Sequence, residues 1–440
     1  MRDHFEAVAR AVADRLTGDE DFLLNYRAED STFIRFNRSA VRQPGHVKEI
    51  EVSIDLISGR RHAETALNLT GRMEEDAGRI THALDALRAV RSETPEDPYL
   101  LVNEVPADSE RSIGGTMPGP AEIVEAVTSA GAGRDLVGFV AAGPVYTGFA
   151  NGRGQRNWDA AASFNADWSF YVGGDKAVKT SHAGFEWDAA AFAAVAETAA
   201  GRLEALTRAP VTVKPGEYRA YLTPAALNEI MGMLSWGGFG LAAQKTRSTI
   251  FLKMTEGGAR LNERVTLTEA TGRGAAPAFQ REGFLKPDTV TLIRAGAYHD
   301  CLVSPRSAAE YGVPTNGASG GETPASLDMA AGELPEADVM KALGTGIYVS
   351  NLWYLNFSDR SAGRLTGMTR FATFWVENGE LVAPLNVMRF DDTIYRMLGT
   401  NLEALTVERS LLLDPGTYEG RNLESARLPG ALLSAMRFTL

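Results

Sequence analysis

The chain has 440 residues, of which 44% are apolar and 23% are charged, and its formal net charge is −12. This composition is typical of a globular protein with room for two or three domains, and its acidity argues against bulk electrostatic binding of nucleic acid. The single cysteine, Cys301, excludes an internal disulfide and favours a reducing compartment. The N-terminus lacks the apolar core of a signal peptide, and no apolar run reaches the roughly 18 residues of a membrane helix. We therefore expect a cytoplasmic protein that contacts neither nucleic acid nor membrane.

The N-terminal half is predicted to combine an antiparallel β-meander with helices. Apolar residues at helical spacing distinguish the helices, and alternating apolar and polar residues distinguish the strands. The predicted elements are a helix over 3–16, a meander over 47–69, a helix over 73–91, a short helix from Pro120, two long strands over 135–151 and 161–172, and a helix over 188–208.

The C-terminal half is predicted to be mostly antiparallel β structure with a few helices. A boundary falls in "RAPVTVKPGEYRA", where prolines and a glycine interrupt the pattern, and it divides the chain into domains 1–208 and 209–440. Helices are predicted over 393–398 and from Leu402 onward. Short strands separated by glycine turns are predicted at "STIFLKM", "RVTLTEA", "TVTLIRAG", "GIYVSNLWYLNF" and "RFATFWVENGELV". The predicted fold class is therefore α+β with two domains.

A helix that begins after Thr223 carries the most informative pattern. Thr223 suits the N-cap, and Pro224 suits the first helical position. The helix then contains Asn228, Glu229 and Met233, which would read H-E-x-x-x-H if the first and last were histidine. Two imidazoles and a carboxylate are what a zinc peptidase requires, whereas an amide oxygen and a thioether suit zinc poorly. The alternatives are a metal helix without its ligands and a packing helix with Glu229 near a cleft.

Other candidate nucleophiles lie in the C-terminal half. His299 and Cys301 would share one face of a strand, so a thiol–imidazole pair is one interpretation and a structural cysteine is the other. Ser319 stands in "GASGG", which matches G-x-S-x-G, but loop sequence on both sides contradicts the strand–turn–helix that a nucleophile elbow needs. These segments do not identify a catalytic residue by themselves.

The order of features resembles the TldD/PmbA family from about residue 20 to the C-terminus. The meander, the turn Asn151-Gly152-Arg153-Gly154, the next strand and the Ala-rich helix follow the family's N-terminal order. The lead "GEYRAYLTP" resembles G-x-Y-x-V-x-L-x-P before the metal helix. Two later segments also resemble the family. The segment "FQREGFLKPDTVTLIRAGAYHD" resembles its D-x-E-G stretch, and "GRLTGMTRFATFWVENGELVAP" resembles its G-x-F-x-x-G-x-x-I-E-N-G-E stretch.

The resemblance implies a particular role. TldD subunits carry H-E-x-x-x-H and a late cysteine as zinc ligands, and the TldE (PmbA) partners lack them. Here Asn228 and Met233 replace the histidines, Glu229 keeps the glutamate position, and no cysteine follows Cys301. The implied role is a non-catalytic subunit of a metallopeptidase complex that acts on unfolded or modified peptides. Zinc is then expected in a TldD-like partner carrying H-E-x-x-x-H and not in this chain.

Two further hypotheses stay open at this point. The chain could be a stand-alone peptide-binding or peptide-maturation factor whose partner is a second copy of itself. It could also be a hydrolase with non-metal chemistry that uses Glu229, His299 or Cys301. In the subunit hypothesis and the stand-alone hypothesis, an extended peptide would bind through free strand edges in a β-rich cleft.

Overall fold

Two β-sheets organise the computed structural model, which describes residues 1–174 and 176–439. The predicted α+β class is confirmed: the N-terminal sheet is almost wholly antiparallel, and the C-terminal sheet is mixed but mostly antiparallel. No helix within the described ranges is long and apolar enough to cross a membrane. The domain boundary at 208/209 stays a prediction.

The first sheet has seven strands. They are β1 (Asp21–Asn37), β2 (Ala40–Ser58), β3 (Arg61–Asn68), β4 (Ser109–Ile113), β5 (Asp135–Asn151), β6 (Arg156–Gly173) and β7 (Lys176–Gly184). Their spatial order is β3-β2-β1-β5-β6-β4, and β7 also pairs with β6. The meander predicted over 47–69 corresponds to β2 and β3, and the long strand β1, which the sequence pattern did not predict, completes it.

Five helices accompany this sheet. They are α1 (Arg2–Ala13), α2 (Met73–Arg91), α3 (Pro120–Ala130), α4 (Ala189–Gly201) and α5 (Leu203–Leu206). α1 and α2 bury apolar side chains such as Phe5, Val12 and Leu84 against β1 and β2. The helix predicted over 188–208 is two helices, because the chain turns at Arg202 between α4 and α5.

The second sheet contains thirteen strands. They are β8 (Gly216–Leu222), β9 (Leu267–Glu269), β10 (Val290–Arg294), β11 (Ala297–Tyr298), β12 (Ser326–Met329), β13 (Gly346–Val349), β14 (Asn351–Asp359), β15 (Arg364–Arg370), β16 (Phe374–Glu377), β17 (Glu380–Pro384), β18 (Arg389–Thr393), β19 (Leu402–Leu413) and β20 (Ser425–Phe438). β20 is the hub of this sheet, since it pairs with β8, β12, β18 and β19.

The helices of this half are short, apart from one. They are α6 (Pro224–Ser235), α7 (Leu241–Lys245), α8 (Leu252–Thr255), α9 (Pro305–Tyr311) and α10 (Val339–Leu343). Two sequence predictions were wrong: "STIFLKM" ends in α8, and the segment from Leu402 onward is β19. Thr406 and Val407 are β-branched, and pairing of β19 with β20 prevails over the helical spacing of Leu402 and Leu405.

Two arginines, one buried and one partly exposed, connect the two sheets. Arg421, in the loop between β19 and β20, is 5% exposed, and its guanidinium enters the first sheet. It donates hydrogen bonds to the carbonyl oxygens of Gly143 and Ser163 at 2.8 and 2.9 Å and to the hydroxyls of Ser31 and Ser163. Arg111 of β4 works in the opposite direction, since it pairs with Asp159 and also donates to the carbonyl oxygen of Thr271.

Candidate functional site

Helix α6 begins as its sequence predicts. The Thr223 side chain accepts a hydrogen bond from the Ala226 N–H at 3.2 Å, and Pro224 occupies the first turn. One face of α6 is buried in the core of the second sheet through Leu227, Ile230 and other apolar residues. The opposite face, which carries Glu229, is turned toward an open cavity.

The cavity has a volume of about 430 Å³ and lies between α6, the middle of β14 and the ends of β12, β19 and β20. The three α6 residues at the positions of the H-E-x-x-x-H pattern line this cavity: Asn228, Glu229 and Met233. The apolar part of the lining comes from distant segments: Pro324, Leu327, Leu355, Leu412, Leu413, Pro415 and Ala426. The cavity therefore combines an apolar floor with a few polar groups, as ligand sites generally do.

Three carboxylates give the cavity an acidic rim. Asp414 and Glu424 join Glu229 there, and all three side chains are exposed to solvent. Partial desolvation by the walls raises the pKa of Glu229, and the charge of Lys179 opposes that shift. The pKa of Glu424 is raised by desolvation and by the charge of Asp414. Sequence reasoning missed Asp414 and Glu424, because no local pattern links them to α6.

The donor set at this helix does not fit zinc. Asn228 supplies an amide and Met233 a thioether, and only Glu229 is a ligand that zinc prefers. α6 is a regular helix over Pro224–Ser235, so side chains five positions apart diverge by roughly 140° around its axis. Across 1–174 and 176–439, no group of three or more His, Cys, Asp or Glu residues is arranged to hold a metal ion. We therefore derive no metal chemistry from this chain.

The other sequence candidates lie away from the cavity. β11 ends at Tyr298, so His299 and Cys301 do not share a strand face as predicted. Cys301 packs against Leu241 and Val303, and burial, together with the charges of Asp300 and Glu322, raises the pKa of its thiol to about 11. Such a thiol stays protonated at neutral pH and is a poor nucleophile.

Ser319 is exposed in the loop between α9 and β12, with no regular element directly before or after it. This is the loop context that the sequence predicted, and it lacks the strand–turn–helix geometry of a nucleophile elbow. The structure thus brings together Asn228, Glu229 and Met233 but does not add His299, Cys301 or Ser319 to them.

An edge of β14 that has no strand partner among the described residues adjoins the cavity. β14 pairs with β15 along one side, and within the described ranges no strand pairs with its other side. Leu355 of β14 lines the cavity, and the neighbouring Trp353 and Tyr354 are 47% and 75% exposed. An unpaired edge beside a cavity can accept an extended chain through main-chain hydrogen bonds.

These features define a two-sheet α+β protein whose central helix presents a glutamate to an acidic, strand-edged cavity. A family model described as the PmbA/TldA metallopeptidase C-terminal domain matches residues 215–440, which is just over half of the chain. The chain therefore belongs to the TldD/PmbA metallopeptidase family. A search of curated proteins found no significant match to the sequence.

Solved structures share the fold over the whole chain. TldE from Thermococcus kodakarensis aligns with a TM-score of 0.77 at 14% identity, covering 99% of this chain and 100% of that one. A proposed modulator of DNA gyrase from Thermotoga maritima aligns with 0.73 at 12% identity, covering 100% of both chains. Another from Bacteroides thetaiotaomicron aligns with 0.72 at 16% identity, covering 100% of this chain and 98% of that one. At these identities the similarity establishes the fold.

Proposed function

We propose that this chain is the metal-free subunit of a TldD-type metallopeptidase complex in the cytoplasm, and that it binds unfolded or modified peptides. The observation that supports this proposal most is which residues α6 presents to the cavity. Glu229 faces the cavity, and in the sequence resemblance it corresponds to the family's glutamate, while Asn228 and Met233 correspond to the two histidines. The catalytic zinc would then belong to a partner with an intact H-E-x-x-x-H helix.

The cavity and the free edge of β14 support peptide binding. An extended peptide that adds to β14 would form main-chain hydrogen bonds, which depend little on its sequence. Its side chains would reach the apolar floor near Leu355 and the acidic rim formed by Glu229, Asp414 and Glu424. Unfolded peptides can form these main-chain hydrogen bonds because their own backbone N–H and C=O groups are not already paired.

A pull-down from the native cytoplasm tests the partner. We expect a roughly equimolar protein with H-E-x-x-x-H to co-purify with this chain, and zinc measured by mass spectrometry to follow that protein. The complex should cleave an unfolded peptide, chelation should abolish the cleavage, and neither subunit alone should match it. An unrelated bait of similar acidity controls for charge-driven capture.

Recovery of this chain alone as a homodimer would contradict the heteromeric proposal. The second candidate function, a stand-alone peptide-binding or maturation factor, would then be favoured, because one chain supplies the whole lining of the cavity described above. In that case peptides should bind to the homodimer without being cleaved.

Binding of a basic, unstructured peptide is expected to weaken as the pH falls. The midpoint of this loss of affinity should lie at a higher pH than it would if the carboxylates of the rim had ordinary pKa values. The reason is that the pKa values of Glu229 and Glu424 are raised, so these groups become neutral earlier as the pH falls from about 7 toward 4. Affinity measured by calorimetry across this range checks the expectation.

The double variant Glu229→Gln/Glu424→Gln should bind the basic peptide weakly at neutral pH and show little of this pH dependence. Glu333→Gln, at an exposed glutamate outside the cavity, is the matched control and should behave as the wild type does. An unchanged pH profile in the double variant would show that the acidic rim does not contact the peptide.

A further inference from the structure

Arg370, at the end of β15, has an unusual environment. Its guanidinium carbon lies 4.2 Å from the centre of the Trp353 ring and 5.1 Å from that of Phe371. Within the described ranges, the Arg370 side chain makes no hydrogen bond to the protein and no ion pair, and its Nε is buried without a partner. Aromatic contacts thus hold this cation in place, while its hydrogen-bonding capacity is unused.

Neighbouring arginines are satisfied in ways that Arg370 is not. Arg364, on the same strand, pairs with Asp391 at 2.9 Å. Arg360 also contacts aromatic rings, and it donates a hydrogen bond from Nη2 to the carbonyl oxygen of Trp236 at 2.6 Å, although its Nε, like that of Arg370, is buried without a partner among the described residues. Among the three arginines of the β14–β15 hairpin, Arg370 is the one whose side chain makes no hydrogen bond or ion pair in the part of the chain that the structure describes, so all of its donors are unused.

A second unpaired polar group lies beside it. Asn351 of β14 is the direct antiparallel partner of Arg370, so the two side chains lie on the same face of the hairpin. Asn351 is only 8% exposed, and its Oδ1 atom has no hydrogen-bond partner among residues 1–174 and 176–439. Buried polar atoms are nearly always paired, so an unpaired donor and an unpaired acceptor side by side offer a ligand two hydrogen-bonding groups at one place.

The backbone around this pair is strained. Tyr354 and Phe371 adopt φ angles of 55° and 57°, a left-handed conformation that bulky residues rarely adopt. Phe371 contacts the Arg370 guanidinium, and Tyr354 follows Trp353 directly along β14. Strained residues of this kind are retained chiefly where the surrounding structure serves binding or catalysis.

We propose that Arg370 and Asn351 form a carboxylate-binding site for the peptide that docks along β14. This inference rests on the proposed function and deepens it by assigning a polarity to the bound peptide. The guanidinium would bind a carboxylate, either the C-terminus of the peptide or an acidic side chain, and Asn351 would pair with an adjacent amide. The acidic rim of the cavity then receives the amino-terminal or basic part of the same peptide.

The arrangement of charge supports this assignment. Leu355 of β14 lines the acidic cavity, while Trp353 and Asn351, farther toward the start of the same strand, adjoin Arg370. A peptide paired with this edge therefore meets negative charge at one end and positive charge at the other. The N-terminus of a peptide is positive and its C-terminus is negative, so the two ends of the β14 edge favour one direction of the bound peptide over the other.

Calorimetry with three extended peptides that lack other acidic groups tests the proposal. The first has a free C-terminal carboxylate, the second is the same peptide as its amide, and the third is the amide with one internal glutamate. The wild type is expected to bind the first, the third or both roughly tenfold more tightly than the second, the usual effect of one charge-assisted hydrogen-bonded pair. Which of the two is favoured identifies the source of the carboxylate.

Arg370→Met should remove this preference, Arg370→Lys should keep part of it, and Arg42→Met, at an exposed arginine of β2, should leave it intact. Equal affinities of the wild type for all three peptides would overturn the inference, and this comparison needs no variant to fold. A short acetylated dipeptide separates this result from the proposed function. If its free acid binds in an Arg370-dependent way while no extended peptide binds, the carboxylate site stands and the proposed peptide-binding function fails.

Discussion

Replacement of Arg421 by methionine is expected to lower the free energy of unfolding by about 2–5 kcal/mol, because several buried acceptors lose a charged hydrogen-bond donor. The guanidinium is almost fully buried and donates hydrogen bonds to Ser31, Gly143 and Ser163 of the first sheet. Its main-chain N–H also donates to Glu29, which is itself buried. Methionine keeps the length of the side chain and the main-chain N–H that binds Glu29, but it leaves the acceptors of Ser31, Gly143 and Ser163 without the guanidinium donor.

The first sheet has a local cause for accepting Arg421. Pro144 has no N–H, and the ladder between β1 and β5 is interrupted between Glu29 and Thr32, opposite Gly143 and Pro144. The carbonyl oxygen of Gly143 is therefore available to an incoming donor. Because Arg421 fills this break, we expect its loss to weaken the contact between the sheets as well as total stability.

Urea unfolding followed by both circular dichroism and tryptophan fluorescence measures this effect. The variant should unfold at lower urea, and its two probes should separate if the sheets unfold independently. Arg42→Met is the control for loss of an exposed positive charge and should change stability by less than about 0.5 kcal/mol. A change of that small size in Arg421→Met would show that the guanidinium contributes little to joining the sheets.

Replacement of Gly232 by tryptophan is expected to weaken peptide binding by at least about tenfold without lowering stability. Gly232 lies on the cavity face of α6, and a Cβ atom added there would meet no other atom within 4 Å. An indole at this position would occupy the space beside Glu229 that the peptide needs. Removal of a helical glycine stabilises the helix by about 0.5–1 kcal/mol, which works against any loss from the larger side chain.

Gly232→Ala is the matched control. It should raise the thermal midpoint slightly and leave peptide affinity unchanged, because a methyl group is too small to fill a cavity of about 430 Å³. Fluorescence anisotropy with a labelled unfolded peptide and calorimetric unfolding measure the two quantities. Undiminished peptide binding by Gly232→Trp would place the peptide site elsewhere on the molecule.

Local sequence patterns predicted the elements whose signals are local. Thr223 and Pro224 fixed the start of α6, and alternation along 47–69 located β2 and β3. The segment from Leu402 was misassigned because its first residues suit a helix, whereas pairing with β20 decides the outcome. Such pairing joins distant segments, and a single local window does not contain that information.

The candidate site was predictable only in part for the same reason. Glu229 stood out because two expected histidines were missing beside it. Asp414 and Glu424 reach the cavity because β19 and β20 pair next to α6, and Arg370 is notable only because its partners are aromatic. The significance of these residues depends on what surrounds them in space.

The loop between β19 and β20 has two attachments. Asp414, Pro415 and Glu424 form part of the cavity wall, and Arg421 between them is anchored in the first sheet. Because one loop makes both sets of contacts, we expect binding in the cavity and docking of the N-terminal half to be coupled, and the coupling free energy is then the same in both directions. Through this loop, a substitution that weakens the anchoring of Arg421 in the first sheet is expected to alter ligand affinity in the cavity without contacting the ligand.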